Sequence, residues 1–252
     1  MAFQENDPQF EFGAQLGAIL KVLPESLHDF FCDYFRLEIH GWEHLPLNGR
    51  GIVVANHSDA LGFDAFMLGY SLRKTLSRKP RIMAHSFWFD SPLKSGLMRH
   101  FGFFPADLRE GLQVLRDDNM LVIFPEGADG NFKVSSSMYK LVDFNPGFVP
   151  LAIMEKAPVI PAVIIGAEET HYNLAKIDLF KDIIGASVPF VLNPIPFPAK
   201  WKIIFLPPID FSKYSKKDIK DARFVKEINQ NIRYRIQHEI NREIKDRDLI
   251  IT

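Results

Sequence analysis

Apolar positions along the chain fall into two kinds of run. Short runs of four to seven residues, rich in Val and Ile, predict strands at Gly51–Ala55, Arg81–Ala84, Leu121–Phe124, Val159–Ile165 and Trp201–Phe205. Longer runs with helical periodicity predict helices at Asp64–Leu72, Pro92–His100, Asp107–Arg116, Phe148–Lys156 and Asp221–Arg247. Ahead of the first strand, residues 12–20 and 24–36 read as a helical pair. In the second of these, Pro24 suits the first turn, and Leu27, Phe30, Phe31, Tyr34 and Phe35 recur with the spacing of one apolar face. That face either packs on the domain core or lies at a membrane interface, although it lacks the lysine-rich polar face that favours the interface. Strands alternating with helices predict an α/β fold: a largely parallel mixed sheet flanked by helices, with an N-terminal helical pair. In such sheets ligands bind beyond the carboxyl ends of the strands, so chemistry is sought in the residues that follow each strand.

No repeat, low-complexity tract or Gly/Ser linker divides the chain, which reads as one domain over residues 1–252, with the helical pair in 1–39, a core in 40–210 and a C-terminal helix in 211–252. Its 30 Lys+Arg against 31 Asp+Glu argue against a nucleic-acid binder. A single cysteine, Cys32, excludes an intramolecular disulfide and any zinc site built from several cysteines, and it is compatible with a reducing cytosol. The 23 Phe against 6 Tyr point to a greasy core or to a surface that faces something apolar. Met1–Phe10 is polar and acidic, without the regions of a signal peptide, and no run reaches the ~18 uncharged apolar residues of a spanning helix. Ile183–Pro198 is uncharged, but Pro189, Pro194, Pro196 and Pro198 forbid a regular helix there. The reading is a cytoplasmic protein, not integral, that associates peripherally with a membrane. Lys213–Arg247 carries 11 basic and 6 acidic residues, a solvated helix face or a contact for anionic lipid.

Two strand ends carry candidate chemistry. The first is Asn56-His57-Ser58-Asp59-Ala60-Leu61-Gly62-Phe63-Asp64, in which a histidine at a strand end precedes an aspartate at a helix start. An aspartate that accepts the imidazole Nδ1–H leaves Nε2 free to take a proton from a hydroxyl. The second is Phe124-Pro125-Glu126-Gly127, a tight turn where backbone can approach a ligand and where Glu126 serves as a functional polar group or as a cap. His85 and Asp90 form a further pair after a strand, but without a preceding Asn. His28, His40, His44, His100, His171 and His238 are scattered, with nothing at metal-ligand spacing, and read as structural or surface residues. No Gly-x-Ser-x-Gly elbow, phosphate loop or His-Glu-x-x-His motif occurs.

Together, Asn56-His57…Asp64, Phe124-Pro125-Glu126-Gly127 and the proline-bearing strand Val159-Ile160-Pro161-Ala162-Val163 resemble the glycerolipid/lysophospholipid acyltransferase superfamily over roughly residues 40–210. The segment from Phe148 to Glu169 is similar to its bacterial and monoacylglycerol-acyltransferase-like branch. The resemblance implies a glycerol-3-phosphate acyltransferase-like fold and an O-acyltransferase. It would move a fatty acyl group from acyl-CoA or an acyl carrier protein to a hydroxyl of a glycerolipid such as lysophosphatidate or a mono- or diacylglycerol. His57 would be the base and Asp64 its orienter, with Asp59 in reserve. Asn56, Phe124, Pro125, Glu126, Gly127, Arg109 and Pro161 would contact substrate. No metal or organic cofactor is implied, and the partners are a lipid acceptor, an acyl thioester and a membrane surface. The pattern also departs from the family's. Six residues separate His57 from Asp64 where four are commoner, Leu108 stands where an arginine is usual with Arg109 one place late, and Ala128-Asp129 replaces a frequent Thr-Arg. Two arginines suited to an acceptor's phosphate are thereby lost, which shifts weight to a neutral acceptor. Phe87-Trp88-Phe89, Phe101, Phe103, Phe104 and the irregular Val188–Phe197 either line an acyl path or, for the Phe residues, fill the core. A retired lipid-binding protein and an acyl-thioester hydrolase are the competing functions.

Overall fold

A computed structural model describes residues 25–59, 61–76, 79–177 and 188–248. Its centre is a seven-stranded sheet in the order β1-β9-β6-β2-β5-β3-β4. The strands are β1 (Glu38–His40), β2 (Gly51–Ala55), β3 (Arg81–Ala84), β4 (Phe103–Pro105), β5 (Met120–Ile123), β6 (Val159–Ile165) and β9 (Lys202–Phe205). Strands β6, β2, β5, β3 and β4 run parallel, while β9 lies antiparallel to β6 and parallel to β1. A separate antiparallel ribbon pairs β7 (Asn173–Ile177) with β8 (Val188–Val191).

The sheet is covered on both faces, which is why its central strands read as unbroken apolar runs. Alternate side chains serve two cores. Ile52, Val54, Leu121, Ile123, Val159 and Val163 pack against α4 (Leu108–Arg116), α6 (Phe148–Glu155) and α7 (Ala222–Ile244). Val53, Ala55, Met120, Val122, Ile160, Ala162 and Ile164 pack against α2 (Phe63–Leu76) and the helix at 25–34, here α1. Each fully buried Val, Ile or Leu side chain contributes about 1.5–3 kcal/mol, so this two-sided sheet dominates the stability. The remaining helices, α3 (Pro92–His100) and the short α5 (Gly127–Asn131), follow β3 and β5.

Several sequence expectations change. The helix at residues 12–20 lies outside the described residues. In α1 the inward line runs through His28, Phe31, Cys32 and Phe35, while Leu27 and Phe30 are exposed. The reason is polar: His28 Nε2 lies 3.2 Å from the Ser71 hydroxyl of α2, and its ring stacks on Tyr70 at 5.7 Å. Val188–Val191, expected to be irregular, is a strand, because β7 supplies partners for its backbone and a two-stranded ribbon tolerates Pro189 opposite Lys176. Strands β1 and β4 went unpredicted, since three residues are too few to show a period.

Candidate active site

His57 stands two residues beyond β2, and Asp64 is the second residue of α2. Their side chains meet with His57 Nδ1 2.7 Å from Asp64 Oδ2. Asp64 is fully buried, and its carboxylate also accepts the Ser58 N–H at 2.7 Å and the Ala65 N–H at 2.8 Å. The first turn of a helix favours a carboxylate, and Asp64 stands there within reach of the imidazole. The His57 side chain keeps 16% exposure, and among the described residues its Nε2 has no partner. Phe124, immediately after β5, lays its ring 4.6 Å from the imidazole at 30°.

The Pro-Glu-Gly turn braces this pair from behind. Glu126 Oε1 accepts the backbone N–H of His57 at 3.0 Å, and Oε2 accepts the N–H of Val142 at 2.9 Å. Lys133 Nζ lies 3.5 Å from Glu126 and 2.9 Å from Glu168. One cation thus serves two buried carboxylates. Burial pushes the Glu168 carboxyl up to about 7 against the pull of Lys133. Burial also works against the charge on Lys133, but Glu168 and Glu126 outweigh it and raise its pKa. Gly127 takes a φ of 58° to start α5, and Gly130 leaves the notch into which the Glu126 side chain fits.

Other predicted site residues are committed to the protein itself. Asn56 is fully buried, and its amide bonds both backbone groups of Ile164, at 2.7 and 2.9 Å, extending the β2–β6 pairing beyond Ala55. Pro161 sits inside the sheet opposite Val54, and buried Pro125 gives its carbonyl to the Asn145 N–H at 2.8 Å. Asn56, Pro125, Glu126 and Pro161 therefore build the site's frame; Phe124 is buried against the His57 ring, and Gly127 is exposed. Arg109 is exposed in the first turn of α4, at the same end of the sheet as His57, with no ion pair among the described residues.

The two reserve pairings dissolve. Asp59 turns away from His57: its Oδ2 lies 2.7 Å from His171 Nδ1, and neither side chain has any exposure. His85 and Asp90 do not meet, because His85 caps a short 3-10 turn through the Phe87 N–H and Asp90 pairs with Lys94. A third look-alike arises in α1, where Cys32 Sγ lies 3.5 Å from His28 Nε2. Burial pushes that thiol up to about 11 and pulls the histidine down, the reverse of an activated thiolate–imidazolium pair. Sequence reading missed the His171–Asp59 pair, since 112 residues separate its members. Among the described residues no group of three His, Cys, Asp or Glu side chains is placed to hold a metal ion.

Of the candidate acyl-path residues, Phe104 is core, whereas Trp88 is half exposed just beyond β3. Leu93 and Leu97 on α3, and Phe190, Leu192 and Ile195 in and after β8, are also exposed. No described helix is long and apolar enough to cross a membrane.

This constellation of a strand-end histidine, a helix-start aspartate and a buried glutamate turn on a mostly parallel sheet defines a class, and the comparisons name it. Residues 36–165 match the protein family described as Acyltransferase, and the chain belongs to that family. It is an acyltransferase of the superfamily that its motifs resemble. An uncharacterized protein of Mycobacterium tuberculosis is 32% identical over 254 residues, spanning 96% of this chain and 68% of its own. The human DGAT1/2-independent enzyme synthesizing storage lipids is 27% identical over 177 residues, or 69% of this chain and 54% of its own. The crystal structure of the 1-acyl-sn-glycerophosphate (LPA) acyltransferase PlsC from Thermotoga maritima shares the fold, with a TM-score of 0.58 at 18% identity, over 90% of this chain and 82% of that one.

Proposed function

We propose that the protein moves a fatty acyl group from an acyl thioester, of CoA or an acyl carrier protein, to a hydroxyl of a glycerolipid by direct transfer. The observation that carries this reading is the 2.7 Å contact between His57 and buried Asp64, with Nε2 left uncommitted. His57 Nε2 takes the hydroxyl proton as the alcohol oxygen attacks the thioester carbonyl. Asp64 holds the Nδ1–H tautomer and stabilises the imidazolium. Collapse of the tetrahedral intermediate breaks the C–S bond, and the proton on His57 leaves with the thiolate. Backbone N–H groups near the exposed Gly127 turn are suited to the developing oxyanion. The thiol of Cys32, held protonated, gives no support to a covalent acyl-cysteine route.

Leu108 and Asp129 occupy positions where arginines would hold a phosphate, and Asp129 adds negative charge in the first turn of α5. These features favour a neutral acceptor such as a mono- or diacylglycerol over a phosphorylated one. The exposed apolar side chains of Trp88, Leu93 and Phe190 support capture of that acceptor at a membrane surface. The test supplies radiolabelled oleoyl-CoA with vesicles containing monooleoylglycerol, dioleoylglycerol or lysophosphatidate. Acylated neutral lipid is expected, together with co-sedimentation of the protein with the vesicles. His57→Ala should lower turnover by ~10²–10⁴. Release of free fatty acid alone would establish a hydrolase. Transfer to lysophosphatidate only would overturn the neutral acceptor, and near-native activity of a folded His57→Ala protein would remove the base.

A further inference from the structure

We infer that His171 and Asp59 form a latch that positions the catalytic loop and thereby delivers Asp64 to His57. The inference rests on the His57–Asp64 assignment above. Six residues separate those two side chains, and a stretch of that length after a strand has many ways to enter a helix. Yet Asp64 must arrive within hydrogen-bond reach of an imidazole fixed to the end of β2. Something has to select one path.

Asp59 does so from inside the loop. Its Oδ1 accepts the N–H of Leu61 at 2.9 Å and of Phe63 at 3.1 Å, and its carbonyl accepts the N–H of Gly62 at 2.9 Å. The aspartate thus folds the chain into the turn that starts α2, one residue before Asp64. Its other oxygen, Oδ2, has no exposure to water and needs a donor. His171 Nδ1–H supplies it at 2.7 Å. The Phe63 ring rests 5.6 Å from the His171 ring, so the latch grips the loop through a side chain as well.

His171 is a firm anchor because its own segment is tied to the sheet. The neighbouring Thr170 bonds the Gly166 carbonyl at 3.2 Å, receives the Trp201 indole N–H at 2.9 Å, and gives its carbonyl to Phe197 at 2.9 Å. With Nδ1–H given to Asp59, Nε2 is buried without a protein partner beside a small pocket lined by Ser58, Asn131, Lys133, Asn173 and Glu168. The amide oxygens of Asn131 and Asn173 are buried there too, without protein partners. His171 and Asp59 touch no reacting atom in this arrangement. They are positioning residues acting through Asp64.

The test uses the full chain and two substitutions of similar polarity. His171→Asn keeps an amide N–H where the Nδ1–H stands, whereas His171→Gln extends it one carbon further. In the oleoyl-CoA assay, His171→Gln should lower kcat by ~10² with little change in donor KM, the cost of a displaced catalytic group. His171→Asn should restore most of the rate. In an Asp64→Asn background, His171→Gln should add no further loss, because the latch acts through Asp64. A readout independent of substrate is the downfield Nδ1 proton of His57 in the NMR spectrum, expected in the wild type and the His171→Asn protein and lost in the His171→Gln and Asp64→Asn proteins. The latch is overturned if His171→Gln retains that proton and the rate, if His171→Asn and His171→Gln fall alike, or if the two losses multiply. Unchanged activity in His57→Ala and Asp64→Asn would instead remove the catalytic assignment, with the NMR comparison still reporting on the latch.

Discussion

A buried carboxylate without donors is costly, and Glu126 has two backbone N–H groups and a lysine, drawn from three segments of the chain. At the residue scale its Oε1 ties down the His57 backbone through the N–H of that residue. Gly130 is the matching residue, since a Cβ at that position would collide with the Glu126 side chain. Gly130→Ala should therefore destabilise the protein by about 1–3 kcal/mol and depress kcat, because overpacking there displaces Glu126. Urea unfolding alongside turnover measures both. A stable variant with normal kcat would show that Glu126 has room to spare. Asn56 makes the same point about reading residues by type. A polar side chain beside a strand-end histidine looks like a ligand in the sequence, and only its pairing with Ile164 reveals a splice between strands.

At the scale of elements, the C-terminal helix reaches the site indirectly. Asn229, Arg233 and Gln237 recur every fourth residue on α7 and so form one stripe. Asn229 bonds the Phe144 carbonyl at 2.8 Å, Arg233 the carbonyls of Val142 and Leu141 at 2.8 and 2.6 Å, and Gln237 the backbone of Tyr139 and Leu141, both at 2.8 Å. The strap they grip gives Val142 N–H to Glu126 and Asn145 N–H to Pro125. Replacing Arg233 by Ala leaves two carbonyls short of a donor. It should cost about 1–3 kcal/mol in urea unfolding and slow turnover as the glutamate turn loosens. Lys226→Ala, on the same helix, should change neither. Sequence periodicity predicted α7 with a solvated basic face. It did not reveal that one of those cations is a strut, because the strap it holds lies about 90 residues away in the chain.

For the whole molecule, the buried cluster of Glu126, Lys133 and Glu168 links stability to pH. In the unfolded chain Glu168 titrates near its ordinary 4.5, whereas in the folded protein burial holds it near 7. Between those values the folded state keeps a proton that the unfolded state has released. Stability contributed by this group is thus full below about 4.5 and falls as pH rises to about 7, where it levels off, by an amount on the order of 3 kcal/mol. Urea midpoints at several pH values should show the decline in the wild type and a flatter profile in Glu168→Gln. Equal slopes in the two proteins would mean that Glu168 is ionised throughout.

The alternation of apolar runs determined the α/β class and the five strands around the centre of the sheet, and it directed attention to their carboxyl ends. Two short blocks, around His57 and around Glu126, determined the family, since these patterns are local and each needs only a few consecutive residues to be read. Everything that depended on distant partners was left to the tertiary structure. It put Asp64 rather than Asp59 against His57, bonded Asn56 and Glu126 to the backbone of other segments, set Pro161 inside the sheet, joined His171 to Asp59, and paired β8 with β7. Each of those outcomes follows from burial: a polar group withdrawn from water takes whichever partner the packed chain brings within about 3 Å, and sequence order does not say which that is.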